Sequence, residues 1–154
     1  MDDAFWMKTA IREAMAALEK EEVPVGCVIV HENRIIGRGH NQIEMLQDPT
    51  AHAEMLAITA AAEHLGSRRL EGCTVYVTLE PCAMCCGAMV LARVQKLIFG
   101  AYDPKAGAAA TLYQIPSDKR LNHTIEVTGG LLVNECGELL SEFFRRLRNH
   151  ETIN

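Results

Sequence analysis

Three of the six cysteines of this chain crowd into one short run, Pro81-Cys82-Ala83-Met84-Cys85-Cys86. Such clustering, with no secretory signal, points to metal or redox chemistry rather than to a disulfide framework. Cys82 and Cys85 stand at i and i+3, so on a helix both sulfurs share one face and can reach a single ion. Pro81 suits the opening turn of that helix, and a helix N-terminus favours the thiolates that bind metal. A second segment, His52-Ala53-Glu54, also falls where a helix is expected to begin. His52 would supply a third ligand, a nitrogen. Three protein ligands leave the fourth tetrahedral position open for water, as catalytic zinc sites require, whereas structural sites usually close all four. Glu54 then has a role beside the metal: at a helix terminus it can lean over that water and move its proton to a substrate nitrogen. His-x-Glu combined with Pro-Cys-x-x-Cys is a strong compound signal, where either half alone would be weak.

The remaining sequence limits the setting of this site. A length of 154 residues gives one domain, 1–154, large enough to bury a core without disulfides. The 49% apolar and 23% charged fractions are those of an ordinary globular chain. The charge-free apolar stretch around the cysteines spans only 81–92, and a membrane-crossing helix needs about 20 residues. The start, Met1-Asp2-Asp3, is acidic where a targeting peptide is basic, so a cytoplasmic location is expected. The net charge of −5 argues against bulk, sequence-blind nucleic-acid binding. Eight aromatic residues are few stacking platforms for a dedicated single-strand binder.

Hydrophobic periodicity predicts alternating elements. Met7, Ile11, Ala14, Met15 and Leu18 mark a first helix. Strands are expected at 25–30 and 35–39 around a turn at His31-Glu32-Asn33-Arg34. Asp48-Pro49-Thr50 offers capping chemistry for a helix with Ala51, Met55, Ile58, Ala62 and Leu65 on its apolar face. A strand at 74–79, a helix at 82–93, strands at 96–101 and 125–128, and a last helix at 135–148 follow, with Leu139, Leu140, Phe143 and Leu147 expected inward. The result is an α/β sandwich around one sheet, whose strand order the pattern leaves open.

With these residues in view, the chain resembles the bacterial tRNA-specific adenosine deaminases of the cytidine deaminase superfamily, which make inosine at the wobble position. The resemblance runs through Pro24-Val25-Gly26, Asp48-Pro49-Thr50-Ala51-His52-Ala53-Glu54 and Val77-Thr78-Leu79-Glu80-Pro81-Cys82-Ala83-Met84-Cys85. It continues through Phe99-Gly100-Ala101-Tyr102-Asp103, Asn122-His123 and Phe143-Phe144-Arg145-Arg146. It implies a three-layer α/β/α sandwich with a five-stranded mixed sheet, assembled as a homodimer. It implies one zinc per subunit on His52, Cys82 and Cys85, with Glu54 as proton shuttle. Asn41 matches the asparagine that hydrogen-bonds the flipped base; as a residue on its own it reads as a turn former. Ala53 would help orient the base through its backbone N–H, and Asp103 matches a position near the ribose. The chain departs from many relatives at Cys86, where they carry Ala or Ser, and across 111–120.

Other readings are weighed against this one. A deaminase of free cytosine, guanine or a nucleotide would share every metal residue. A redox Cys-x-x-Cys pair lacks a use for His-x-Glu, and a non-catalytic zinc module lacks an evident fourth protein ligand. The basic residues Arg145, Arg146 and Arg148, with Lys105, Lys119 and Arg120, favour an RNA substrate such as an anticodon stem-loop. Charge counting alone reads them as a solvated face. Cys86 reads as a small buried helix residue.

Overall fold

The computed structural model describes residues 1–153. Its first helix, α1 (Asp3–Glu19), is capped by the Asp2 side chain, which accepts from the Phe5 N–H at 2.9 Å. The chain then forms β1 (Gly26–His31) and β2 (Arg34–His40), an antiparallel hairpin. Its two turn residues, Glu32 and Asn33, both hold positive φ, the backbone twist that a two-residue hairpin demands. A short α2 (Ile43–Leu46), α3 (Ala53–Leu65), β3 (Thr74–Leu79), α4 (Ala83–Ala92), β4 (Lys96–Ala101), β5 (Glu126–Thr128) and α5 (Val133–Ile153) complete the order.

The five strands lie in the order β2-β1-β3-β4-β5. β1 pairs antiparallel with both β2 and β3, while β3, β4 and β5 run parallel, so the sheet is mixed. Side chains alternate across it with the period of two that strands impose. Cys27, Ile29, Val75, Val77, Leu97 and Phe99 face α3 and α4. Val28, Val30, Tyr76 and Ile98 face the opposite way, toward Trp6, Met7 and Ala10 of α1 and Cys136 of α5. This is the expected three-layer α/β/α sandwich around a five-stranded mixed sheet. Full burial of side chains such as Phe99, Leu97 and Met89 stabilises it by roughly 1.5–3 kcal/mol each.

Glycines in β2 set how closely α3 can lie. A Cβ at Gly39 would sit 2.6 Å from the Ala53 carbonyl oxygen, and one at Gly37 would collide with the Ala57 carbonyl. The helix therefore rests on strand backbone, which brings its N-terminus level with the end of β2.

The structure differs from expectation at several element ends. Asp48 and Thr50 do not cap α3; the Asp48 carboxylate accepts from the Thr50 N–H and hydroxyl, closing a local turn, and the helix starts three residues after Thr50. Pro81 precedes the N-cap Cys82 rather than opening the first turn. α2 interrupts the stretch expected to be loop. Of the side chains expected inward on α5, Leu139, Leu140 and Phe143 are half-buried, but Leu147 is exposed. The helix runs on past the part that packs on β4 and α1.

Candidate metal centre and nucleobase pocket

Both ligand-bearing segments meet where the N-termini of α3 and α4 converge at one end of the sheet. His52 is the N-cap residue of α3 and Cys82 that of α4, each in extended conformation with no capping bond from its own side chain. Both side chains are thereby left to point between the two helices. His52 Nδ1 lies 3.8 Å from Cys82 Sγ and 3.6 Å from Cys85 Sγ, and the two sulfurs are 3.8 Å apart. A tetrahedral ion with bonds of about 2.3 Å to sulfur and 2.0 Å to nitrogen spaces its ligands by roughly 3.5–3.8 Å. The three donors thus have the spacing of a metal centre, and they form the one such group of His, Cys, Asp or Glu among the described residues. The His52 ring also bonds the Pro49 carbonyl, an outer interaction that fixes the orientation of a ligating imidazole.

Charge in the site follows from these contacts. Hydrogen bonds to Cys85 and His52 bring the Cys82 thiol down to about 3, favouring thiolate. Its bond to Cys82, together with burial, pushes the Cys85 thiol up. The His52 imidazole is raised, chiefly by its bond to Cys82. Cys86 stands apart: it is buried, its thiol donates to the Pro81 carbonyl at 3.6 Å, and burial raises it.

Glu54, in the first turn of α3, is 3% exposed. Burial raises its carboxyl above the ordinary range, and hydrogen bonding to Cys85 and attraction to His52 only partly offset this. A carboxyl so placed holds a proton more readily than a solvated one, which suits a proton carrier. Asn41, 6% exposed, follows β2; its Oδ1 accepts from the Ala53 N–H at 2.8 Å. That bond occupies the Ala53 N–H expected to orient a base, and leaves the Asn41 Nδ2 amide as the group that can donate to one.

A pocket of about 140 Å³ joins these groups: Asn41, His52, Glu54 and Cys82 line it together with Leu79, Glu80, Asp103, Ala106, Val23 and Val25. Asp103 lines this pocket, and its Oδ1 accepts from the N–H groups of Lys105 and Ala106 at 2.9 and 3.2 Å. Arg145, Arg146 and Arg148 lie on α5, outside this pocket. Arg145 and Arg146 both pair with Glu142. Two larger grooves, about 440 and 590 Å³, flank that helix. One is lined by Lys105 and Arg148; the other shares Val23 with the metal pocket and includes Arg146. Sequence reasoning passed over Val23, Val25 and Glu80 as site residues. For the valines no signal distinguishes a pocket wall from core.

A three-layer mixed-sheet sandwich that presents His-x-Glu and Pro-Cys-x-x-Cys at two converging helix starts has the architecture of the nucleobase deaminases. Residues 1–148 match the MafB19-like deaminase family. The chain is 55% identical to a tRNA-specific adenosine deaminase of Bacillus subtilis (strain 168), over 95% of its own length and 91% of that protein's. It is 51% identical to the tRNA-specific adenosine deaminase of Aquifex aeolicus (strain VF5), over 97% and 99%. A solved structure from a study of A-to-I editing by tRNA:A34 deaminases at the wobble position superposes with a TM-score of 0.85 at 43% identity, over 88% of this chain and 99% of that one. The chain belongs to the tRNA-specific adenosine deaminases.

Proposed function

We infer that this protein converts adenosine to inosine at wobble position 34 of a tRNA anticodon loop, as a cytoplasmic enzyme with one zinc per subunit. The observation that carries the deamination chemistry is the triad of His52, Cys82 and Cys85 donors at 3.6–3.8 Å, with the buried Glu54 carboxyl beside them; the tRNA adenosine is supported by the chain's likeness to tRNA-specific adenosine deaminases over nearly its whole length. Two thiolates and an imidazole suit zinc among the biological metals. Bound there, zinc would supply the Lewis acidity that makes water a nucleophile near neutral pH.

The chain's own residues do the rest. Asn41 Nδ2 donates to an acceptor on the purine and holds the base in register. Glu54 takes a proton from the water and delivers it to N1 as the water oxygen bonds to C6. Glu54 then takes the proton of the new C6 hydroxyl and passes it to N6, the C6–N6 bond breaks as C6=O forms, ammonia leaves, and inosine remains. A pocket of about 140 Å³ has room for one base and not for a stacked loop. The adenosine must therefore be turned out of its stack, which costs least in a single-stranded loop. No helix among the described residues is long and apolar enough to cross a membrane.

The α5 residues Arg145, Arg146 and Arg148 would meet the RNA backbone: Arg146 lines a groove that shares Val23 with the metal pocket, Arg148 lines the groove beside Lys105, and Arg145 stands on the same helix. A homodimer is supported by α4, which has no charged side chain yet exposes Leu91 at 79%. An uncharged helix face of that kind favours cover by a second copy.

Ammonia release from zinc-loaded protein separates the substrates. Release with tRNA, and little with free cytosine, guanine or nucleosides, is the expected result. Release from a free base or nucleotide at a rate matching or exceeding that with tRNA would overturn the reading in favour of a small-molecule deaminase.

A further inference from the structure

Glu80 is a buried carboxylate to which the proton chemistry assigns no task. It is 2% exposed and lies at the end of β3, where five donors from one segment converge on it. Its Oε1 accepts from the Asp103 N–H at 3.1 Å and the Thr111 hydroxyl at 2.5 Å. Its Oε2 accepts from the N–H groups of Ala109, Ala110 and Thr111 at 3.2, 2.8 and 2.9 Å. Consecutive N–H groups gathered on one anion in this way form a backbone nest. The protein here supplies the anion itself.

Apart from Glu80, the segment so held, 103–111, is ordered by the Asp103 turn and by Ala108, which is buried and donates its N–H to the Pro81 carbonyl at 2.9 Å. It contains no helix or strand, and between Lys105 and Thr111 its side chains are only alanine and glycine. Gly107 is required by the tether, since a Cβ there would collide with the Glu80 carboxylate. Yet the segment carries Asp103 and Ala106, which line the metal pocket, and Lys105, which lines the neighbouring groove.

We propose that Glu80 is a positioning residue for substrate: it clamps the 103–111 segment as a preformed pocket wall, so that the nucleoside docks against ordered backbone. The proposal rests on the reading of the protein as an RNA deaminase. Preorganised walls lower the ordering cost of binding and therefore act mainly on affinity. Glu80 never touches the reacting atoms and holds no metal.

The test uses the zinc-loaded chain and an anticodon stem-loop RNA with adenosine at the wobble position. Glu80→Gln turns one acceptor oxygen into an amide that faces N–H donors. KM should rise by about tenfold or more, the scale set by removing a charge-assisted hydrogen bond, while kcat changes far less and metal content matches the parent. Backbone hydrogen exchange at Ala109, Ala110 and Thr111 should quicken while the sheet stays protected. Thr111→Val, which deletes one hydroxyl, should shift both readouts the same way by less, and it carries the test should Glu80→Gln not fold. A KM equal to the parent's, with kcat lowered only in proportion to the folded fraction, would overturn the proposal. So would unchanged exchange at 109–111. If the parent itself does not convert this RNA, the functional reading fails separately, and the exchange result alone decides whether Glu80 holds the wall.

Discussion

At the scale of single residues, the proposed chemistry divides labour between groups that would hold a metal and one that would move a proton. Glu54 is two positions from His52 but outside the ligand set, and it is buried with its carboxyl raised. Glu54→Ala should therefore keep its zinc and its fold, bind RNA much as the parent does, and lose turnover by a factor of about 10²–10⁴ or more. Conversion close to the parent rate would remove Glu54 from the mechanism. Ligation predicts the opposite pattern at its neighbours. His52→Ala, Cys82→Ala and Cys85→Ala should each lose the metal, because the three atoms sit at mutual ligand spacing. Cys86→Ala should retain about one zinc per chain, since that sulfur bonds the Pro81 carbonyl instead. Metal analysis of the four variants decides the assignment, and loss of zinc from Cys86→Ala would contradict it. Ligand binding also requires protons to leave: the Cys85 thiol is raised and His52 is raised, so metal affinity should climb as pH rises and fall in acid.

At the scale of elements, the site depends on how close a helix can come to a strand. Gly39 allows the Ala53 carbonyl to lie against β2, and α3 presents His52 and Glu54 from that approach. Gly39→Ala should push the start of α3 outward, at a cost of about 1–3 kcal/mol in stability. Both the melting temperature and the zinc affinity should fall; a variant with parental values of both would show that this close packing does not set the site. The elements also show what a sequence can reveal. β3 and β4 fall at 74–79 and 96–101 as read from the pattern, because each is a β-branched and aromatic run buried on both faces. The ends of α3 and α4 are less legible. His52 and Cys82 take N-cap places that Asp, Ser or Thr usually fill, since their side chains are committed to each other. α2 has only four residues, too few for any period to register; the Glu22 carboxylate fixes it by accepting from the Glu44 and Met45 N–H groups at 3.0 and 2.8 Å. Glu80 is hidden for a related reason. Beside a proline it reads as a loop acid, and its burial comes from donors more than twenty residues away in the chain. The metal ligands are legible because i, i+3 cysteines and His-x-Glu are local patterns.

At the scale of the whole molecule, an acidic protein has to hold an acidic substrate. With a net charge of −5, long-range attraction to RNA is unfavourable, and binding must rest on a local basic surface. The grooves along α5 supply cations beside the pocket, although Glu142 takes part of the charge of Arg145 and Arg146. Neutralising Arg145, Arg146 and Arg148 together should weaken tRNA binding and flatten its salt dependence, by roughly 0.7–0.9 in slope for each phosphate that is no longer neutralised. Zinc content should stay at the parent value. Binding measured across a salt series checks this, and an unchanged affinity and slope would make α5 a solvated face. All of these features serve one claim: that a metal-activated water and Glu54 act on an adenosine turned out of an anticodon loop. The most direct measurement incubates the zinc-loaded protein, with Glu54→Ala alongside, with total tRNA and sequences the product for adenosine-to-inosine change. The account predicts inosine at position 34 with the parent and none above background with the variant. Adenosine intact at position 34 after incubation with the parent, or inosine formed equally by both proteins, would contradict it.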